Sequence, residues 1–447
     1  MVAVRDLMTK IVSRVRTMSE TSLKRKAEED SLQTHSSDGR PKTKKMFLTE
    51  KMSTYDSEYY FENGLRKVYP YHFTYHSYAR GRWLGRKIIE IYQKEFRAIN
   101  PSRLENRFTE GHIRVNDCVI TPDYVIRNND IITSKTHRHE LPVIGLPIKI
   151  VHEDEKMLIV DKPPSIPIHS CGRFHFNSLL QILRKDNHYD KLFPCHRLDR
   201  LTSGMVLLAK NPAQARQIID DISSRLVEKE YVCKVEGEFP EGEVTCEQPI
   251  FSLYPKIGLQ IVHSSGKQSL TIFERLSTDG KTSIVKCKPK TGRTHQIRVH
   301  LQYLGYPIVD DYLYNSLDFG PQKGKDGEYG VSNLEELIQK VTSSHPVTHY
   351  LQDDALNITQ QVEADSKNKE DIEKLSNLIN KHVSSGWKEH MNSHSHDSKK
   401  STYDPDCEEC LQNTRDPISS ELFIHLHCRR YKTSIWDYET ELPFWAC

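Results

Sequence analysis

The segment CHRLDRLTSGMVLLAK, Cys195 to Lys210, sets one carboxylate between two guanidiniums: Asp199 is flanked by Arg197 and Arg200. Leu198 precedes it, a Thr-Ser-Gly turn follows, and Met205 to Leu208 reads as a buried strand. The carboxylate thus stands at the mouth of a core strand with cations beside it. Opposite charge within a few ångströms lowers a carboxylate pKa and keeps the group ionised. An ionised, partly desolvated aspartate can act as a nucleophile or a base. The same residues also suit a structural ion pair beside a β-turn.

Two further segments carry candidate chemistry. In KPKTGRTHQIRVHLQYLGYPIVDD, Lys288 to Asp311, a helix follows Gly292 with Ile297, Leu301 and Leu304 as its buried stripe. Arg298 lies beside that stripe and reaches inward. A guanidinium buried without a carboxylate is expensive, and Asp199 is its natural partner. In KEYVCKVEG, Lys229 to Gly237, alternation puts Tyr231, Cys233 and Val235 on one face. An inward tyrosine there can stack on a base or pack in the core.

The elements that must position these groups fall between residues 141 and 320. Strands are expected at Ile148–His152, Met157–Asp161, Gly204–Ala209, Glu230–Val235, Gln268–Glu274 and Ser283–Lys288. Helices are expected at Ser178–Arg184, Ala213–Ser224 and Thr294–Tyr303. Strands dominate, which argues an α+β fold with a mixed, mainly antiparallel sheet flanked by helices. Residues 54–140 differ in character. A helix over Arg82 to Arg97 carries Ile88, Ile89, Tyr92 and Phe96 on one face and Arg82, Arg86, Lys87, Lys94 and Arg97 on the other. Pro101 opens a second helix. EGHIRVNDCVI reads as a hairpin turning at Asn116-Asp117, and VIRNNDIITS as another strand-turn-strand piece. This makes a small basic α+β module, either RNA-binding or merely solvated on its charged face.

Residues 1–53 read as a disordered basic tail, and 321–402 as a mobile insertion or linker with short helical patterns at Leu334–Val341 and Ile372–Leu378. The His-rich Ser393–Lys400 stretch reads as solvated. The C-terminal residues 403–447 are apolar and aromatic again and should pack back on the core.

These segments, with MLIVDKPPSIPIHSCG (Met157 to Gly172), resemble the RluA family of pseudouridine synthases. HRLDRLTSG is similar to that family's stretch around its essential aspartate, and the order VDKP, HRLD, KEY, GRTHQIRVH fits. The resemblance covers roughly residues 145–315. It implies the pseudouridine synthase fold, an RNA substrate and an isomerisation that uses no cofactor or metal. By the same resemblance Asp199 attacks the target uridine, at C1′ or first as a base. Tyr231 stacks on the flipped base, Arg298 pairs with the aspartate, and Arg197 fills the gap left in the RNA. Arg293 and the basic helix with Arg82 and Arg86 would hold phosphates. Base flipping costs a few kcal/mol and is cheapest in loops. Stacking on an aromatic face returns roughly 1–3 kcal/mol per base. GHIRVND resembles the glycine-strand-Val-Asn turn of S4 domains, so residues 54–140 are expected to form an S4-like domain. DPDCEEC, RDP and LFIHLHCRRY resemble the C-terminal extension of eukaryotic members acting on tRNA anticodon stem-loops, which makes tRNA the leading substrate and mRNA a second one. A catalytically idle RNA-binding protein or RNA chaperone is the alternative; an altered Asp199, Tyr231 or Arg298 would favour it, and all three are present.

Composition bounds the rest. The chain has 447 residues, a prior of two or three domains, with 36% hydrophobic and 28% charged residues. Lys+Arg 63 against Asp+Glu 61 leaves +2, so any basic face must be local. No apolar run is long enough for a membrane span. The ten cysteines are mostly isolated, which suits a reducing compartment. Cys407-x-x-Cys410 is half a zinc site; His425, His427 and Cys428 are the candidates for its other half, and without a second pair no metal is assigned. A zinc deaminase is excluded, because Asp406 separates Pro405 from Cys407 and no H-x-E lies upstream. Lys24–Lys26 and Arg40–Lys45 have the spacing of a bipartite nuclear import signal, pointing to nucleus or cytoplasm. The first 18 residues also suit a mitochondrial presequence that a start at Met18 would remove. Without coiled-coil heptads a monomer is expected.

Overall fold

The computed structural model describes residues 57–95, 101–344, 383–411 and 416–446, with shorter pieces between 373 and 381. The basic N-terminal clusters, Phe96 and Arg97 lie outside the described residues.

Alternating apolar segments build a ten-stranded sheet. Across it run Glu243–Cys246, Thr271–Thr278, Thr282–Pro289, Glu228–Glu236, Leu426–Lys432, Ser203–Ala209, Met157–Lys162 and Lys149–Glu153. Phe193–Pro194 and Asp437–Glu439 pair alongside. Among the described residues one ladder of this sheet is parallel, Ser203 and Gly204 against His427 and Cys428; the rest are antiparallel. The expected α+β class with a mainly antiparallel mixed sheet is therefore what the chain forms.

The C-terminal tail does more than pack back on the core. Its strand Leu426–Lys432 is the seam of the sheet, joining Glu228–Glu236 on one side to Ser203–Ala209 on the other. Gly204 permits this. Its φ is +110°, and a Cβ placed there would lie 2.2 Å from the Cys428 carbonyl oxygen. Only a residue without a side chain lets the two backbones meet.

Each half of the sheet has its own core. Met157–Val160 and Met205–Ala209 pack with Leu179, Leu183 and Ile218 of the helices Leu179–Asn187 and Pro212–Ser223. The second helix starts where Asn211 accepts the Gln214 N–H and Pro212 takes the first position. On the other side Cys233, Val235, Phe273, Val285 and Cys287 pack with Ile297 and Leu301 of the helix Gln296–Tyr303. That helix buries Gln296 to Gln302 without interruption, which explains why its polar side chains are all hydrogen-bonded inward.

Nearer the N-terminus, Tyr71–Tyr78, Ile131–Arg138, Ile113–Val115 and Cys118–Val119 form a four-stranded sheet beside the helices Ile88–Glu95 and Pro101–Thr109. The hairpin turns at Asn116 and Asp117, both at positive φ (53° and 64°), as a two-residue turn requires. Two expectations are corrected. The helix drawn from Arg82 begins only at Ile88: Gly81–Trp83 is a single 3₁₀ turn, and Gly85 at φ +75° breaks the run. In VIRNNDIITS only the second half is a strand; Val125 makes an isolated bridge to Lys87. A third sheet, Tyr59–Glu62, Leu65–Val68 and Val143–Ile144, runs across the boundary expected at residue 140. Within 321–402, Leu334–Ser344 buries Leu337 and Val341 against Tyr314 and Phe319, and Ser385–Ser393 is anchored by Trp387 Nε1 donating to the Gly145 carbonyl (2.9 Å). These two stretches are built parts of the fold rather than linker.

Candidate active site

Asp199 occupies the turn before Ser203–Ala209, where the Thr202 N–H closes onto its carbonyl (3.1 Å). Its side chain retains 26% of its exposure and lines a cleft of about 1100 Å³. Arg298 Nη1 donates to Asp199 Oδ2 at 3.4 Å, and His295 Nε2 lies 3.6 Å from the same oxygen. Burial pushes the Asp199 carboxyl up, but the neighbouring cations outweigh it and hold it below the usual carboxylate range. Of these His295 weighs most, followed by Arg298 and Arg197; near pH 7 His295, pushed down to about 4 chiefly by burial, is neutral, and the two arginines carry the positive charge beside Asp199.

Arg298 has a closer partner than the sequence suggested. Its Nε and Nη2 form a fork on Asp311, at 2.7 and 2.8 Å, and the Asp311 side chain is fully buried. Asp311 also accepts the Leu313 and Tyr314 N–H groups, both at 3.1 Å. Asp199, the partner expected from the sequence, is in contact with Arg298 but is not its closest carboxylate. Asp311 takes the bidentate face, and Asp199 meets the remaining nitrogen. Burial would lower the Arg298 pKa; Asp311 raises it instead. A rigid guanidinium is thereby aimed at the Asp199 carboxylate.

His295 was not singled out from the sequence. It sits three residues before Arg298, one turn away on the same face, and that spacing was the available signal. It adopts a left-handed conformation (φ 55°) ahead of the helix, a strained geometry for a non-glycine residue. The Tyr314 hydroxyl accepts the Gln260 N–H (3.1 Å) and lies 2.7 Å from His295 Nδ1. With the Tyr314 hydroxyl donating to Nδ1, the ring's own proton stands on Nε2, facing Asp199.

Tyr231 stands across the seam, opposite Cys428 on one side and Cys287 on the other, and its ring lines the cleft. Burial raises its pKa well above 10, so the phenol stays protonated. Arg197 is exposed at the rim, while Arg200 turns away, donating to the Glu421 carbonyl (3.2 Å) and lying over Phe174. Lys162 of VDKP is wholly buried, donates to the Pro163 and Arg200 carbonyls, and is lowered to about 7 chiefly by burial. It buttresses the Asp199 turn from behind.

The cleft also holds the local basic face. Among the described residues, nine lysines and arginines line it against three acids; Arg197, Arg225, Lys290 and Arg293 are among the nine. Arg82 and Arg86 are elsewhere: Arg82 forks onto Glu95, and Arg86 lies 3.8 Å from Glu90. Their charge is met by carboxylates of the helix Ile88–Glu95 that follows them. His425, His427 and Cys428 are not drawn to Cys407 and Cys410. His427 bridges Ser203 and Thr440, His425 faces the Val309 carbonyl, and Cys428 is buried in the seam.

Residues 156–303 match the family described as RNA pseudouridylate synthase. Human pseudouridylate synthase RPUSD2 is 39% identical over 410 residues, which cover 88% of this chain and 75% of the human protein. The chain belongs to the RNA pseudouridylate synthase family. This synthase is an isomerase that acts on RNA, and its relatives extend to yeast. The Saccharomyces cerevisiae mitochondrial tRNA pseudouridine(32) synthase is 43% identical over 299 residues, 64% of each chain. The yeast tRNA pseudouridine(31) synthase is 32% identical, over 87% of this chain and 97% of its own. The synthase's family match ends before Asp311 and does not reach the seam strand, so both come from outside the matched stretch.

Proposed function

We propose that this synthase isomerises uridine in tRNA, within the anticodon stem-loop, with Asp199 as the nucleophile. The observation that carries the proposal is Asp199 itself: a partly exposed carboxylate at the cleft wall, kept ionised by an Arg298 that Asp311 locks in place. Asp199 attacks C1′ of a flipped uridine, and the bond from C1′ to N1 breaks. The uracil turns against the Tyr231 face, C5 bonds to C1′, and the carboxylate leaves. The C5 proton departs and N1 takes one up, so the product has the atoms of the substrate and no cofactor is drawn upon. Arg197, an exposed residue lining the cleft, is assigned to fill the vacated stack. The His295 N–H and Arg298 favour the carboxylate as a leaving anion.

The yeast relatives named for tRNA positions 31 and 32 support tRNA over other RNAs. The four-stranded sheet with its two helices supports the S4-like reading of residues 54–140 as a second RNA contact, working as a monomer. Pseudouridine mapping of total RNA from cells with and without the protein tests the substrate. Loss confined to tRNA anticodon stem-loops is expected; loss confined to mRNA would move the substrate class.

A further inference from the structure

Four soft or imidazole ligands converge outside the cleft, none of them among its lining residues. His137 comes from the strand Ile131–Arg138, His139 follows it, and Cys407 and Cys410 come from the segment that leads toward the seam strand. One ligand atom from each lies within 4.8 Å of all the others. Cys410 Sγ is 3.3 Å from His137 Nδ1 and 3.2 Å from His139 Nε2. Both cysteines are free thiols. Tetrahedral zinc, with bonds of about 2.0–2.1 Å to nitrogen and about 2.3 Å to sulfur, sets its ligand atoms roughly 3.3–3.8 Å apart. We propose that His137, His139, Cys407 and Cys410 form a structural zinc site.

An independent feature prepares the site. The Thr402 hydroxyl donates to the Pro70 carbonyl, so its oxygen accepts from His137 Nε2, 2.8 Å away. That fixes the ring proton on Nε2 and leaves the Nδ1 lone pair facing Cys410. Outer-shell bonds of this kind orient metal-bound histidines. The Asp404 N–H points at Cys410 Sγ (3.4 Å), a donor suited to a thiolate. Two sulfurs and two nitrogens in a closed tetrahedron select zinc and leave no open position for chemistry. The zinc ties the N-terminal sheet to a segment that Arg103 holds through the Pro405 carbonyl and Arg173 through Glu409. It would set the second RNA contact proposed for residues 54–140 at a fixed position against the seam.

The test is zinc content of the full-length protein, purified without chelator and measured by elemental mass spectrometry. About one zinc per chain is expected, falling at least tenfold in Cys407→Ser/Cys410→Ser. A wild type without zinc, or a double variant that keeps it, overturns the proposal. Should the double variant fail to fold, cobalt(II) exchanged into the wild type decides. Thiolate-to-cobalt charge-transfer bands with tetrahedral ligand-field bands are expected; their absence overturns the site. Thr402→Val, which keeps all four ligands, should weaken zinc affinity about tenfold.

Discussion

Arg298 serves two carboxylates, and they are not equivalent. Asp311 is fully buried and takes the fork; Asp199 is partly exposed and takes one longer contact. Removing one partner of a buried pair costs about 3–5 kcal/mol, whereas exposed pairs contribute about 0–1 kcal/mol. Asp311→Ala should therefore lower stability in urea unfolding by several kcal/mol, and Asp199→Ala by less than about 1 kcal/mol. Equal losses would mean that Asp199 is structural. Asp199, Tyr231 and Arg298 were legible because each sits in a distinctive local string. Asp311 was not: it lies thirteen residues from Arg298 on a loop, and only the fold brings it back. Arg200 was misread for the opposite reason, since adjacency in sequence did not put its guanidinium on Asp199.

The seam strand sets the geometry between the two halves of the site. Asp199 belongs to the half with Ser203–Ala209, Tyr231 to the half with Glu228–Glu236, and Leu426–Lys432 holds them together. Gly204→Ala would drive a Cβ into the Cys428 carbonyl. The expected cost is about 3 kcal/mol from overpacking and positive φ. It should show as a lower thermal midpoint and a synthase activity reduced beyond the loss of folded protein. A variant as stable as the wild type would refute the close approach. The sequence marked the tail as apolar, yet its rank at the centre of the sheet depends on pairing with strands some 200 residues away. Local periodicity carries no record of that. The opposite error arose at Arg82–Arg97, where helical spacing continued through Gly85 although the backbone does not.

At the scale of the molecule, a net charge of +2 conceals a basic cleft. Its cations arrive from separate strands and loops, so no run of lysines announced it. The visible basic run at Arg82 and Arg86 is met by Glu95 and Glu90. Each phosphate contact contributes about 0.7–0.9 to the slope of log affinity against log salt. Lys290→Ala/Arg293→Ala should reduce that slope for tRNA by about 1.5 in filter binding. Arg82→Ala/Arg86→Ala should leave it unchanged; the reverse pattern would place the RNA on the N-terminal helix. The most direct test of the account is pseudouridine formation by purified wild type and Asp199→Ala on transcribed tRNA. The wild type should modify defined anticodon stem-loop uridines, and Asp199→Ala should modify none while keeping its circular dichroism spectrum and tRNA affinity. Pseudouridine at the same uridines from Asp199→Ala would contradict the assignment of the nucleophile.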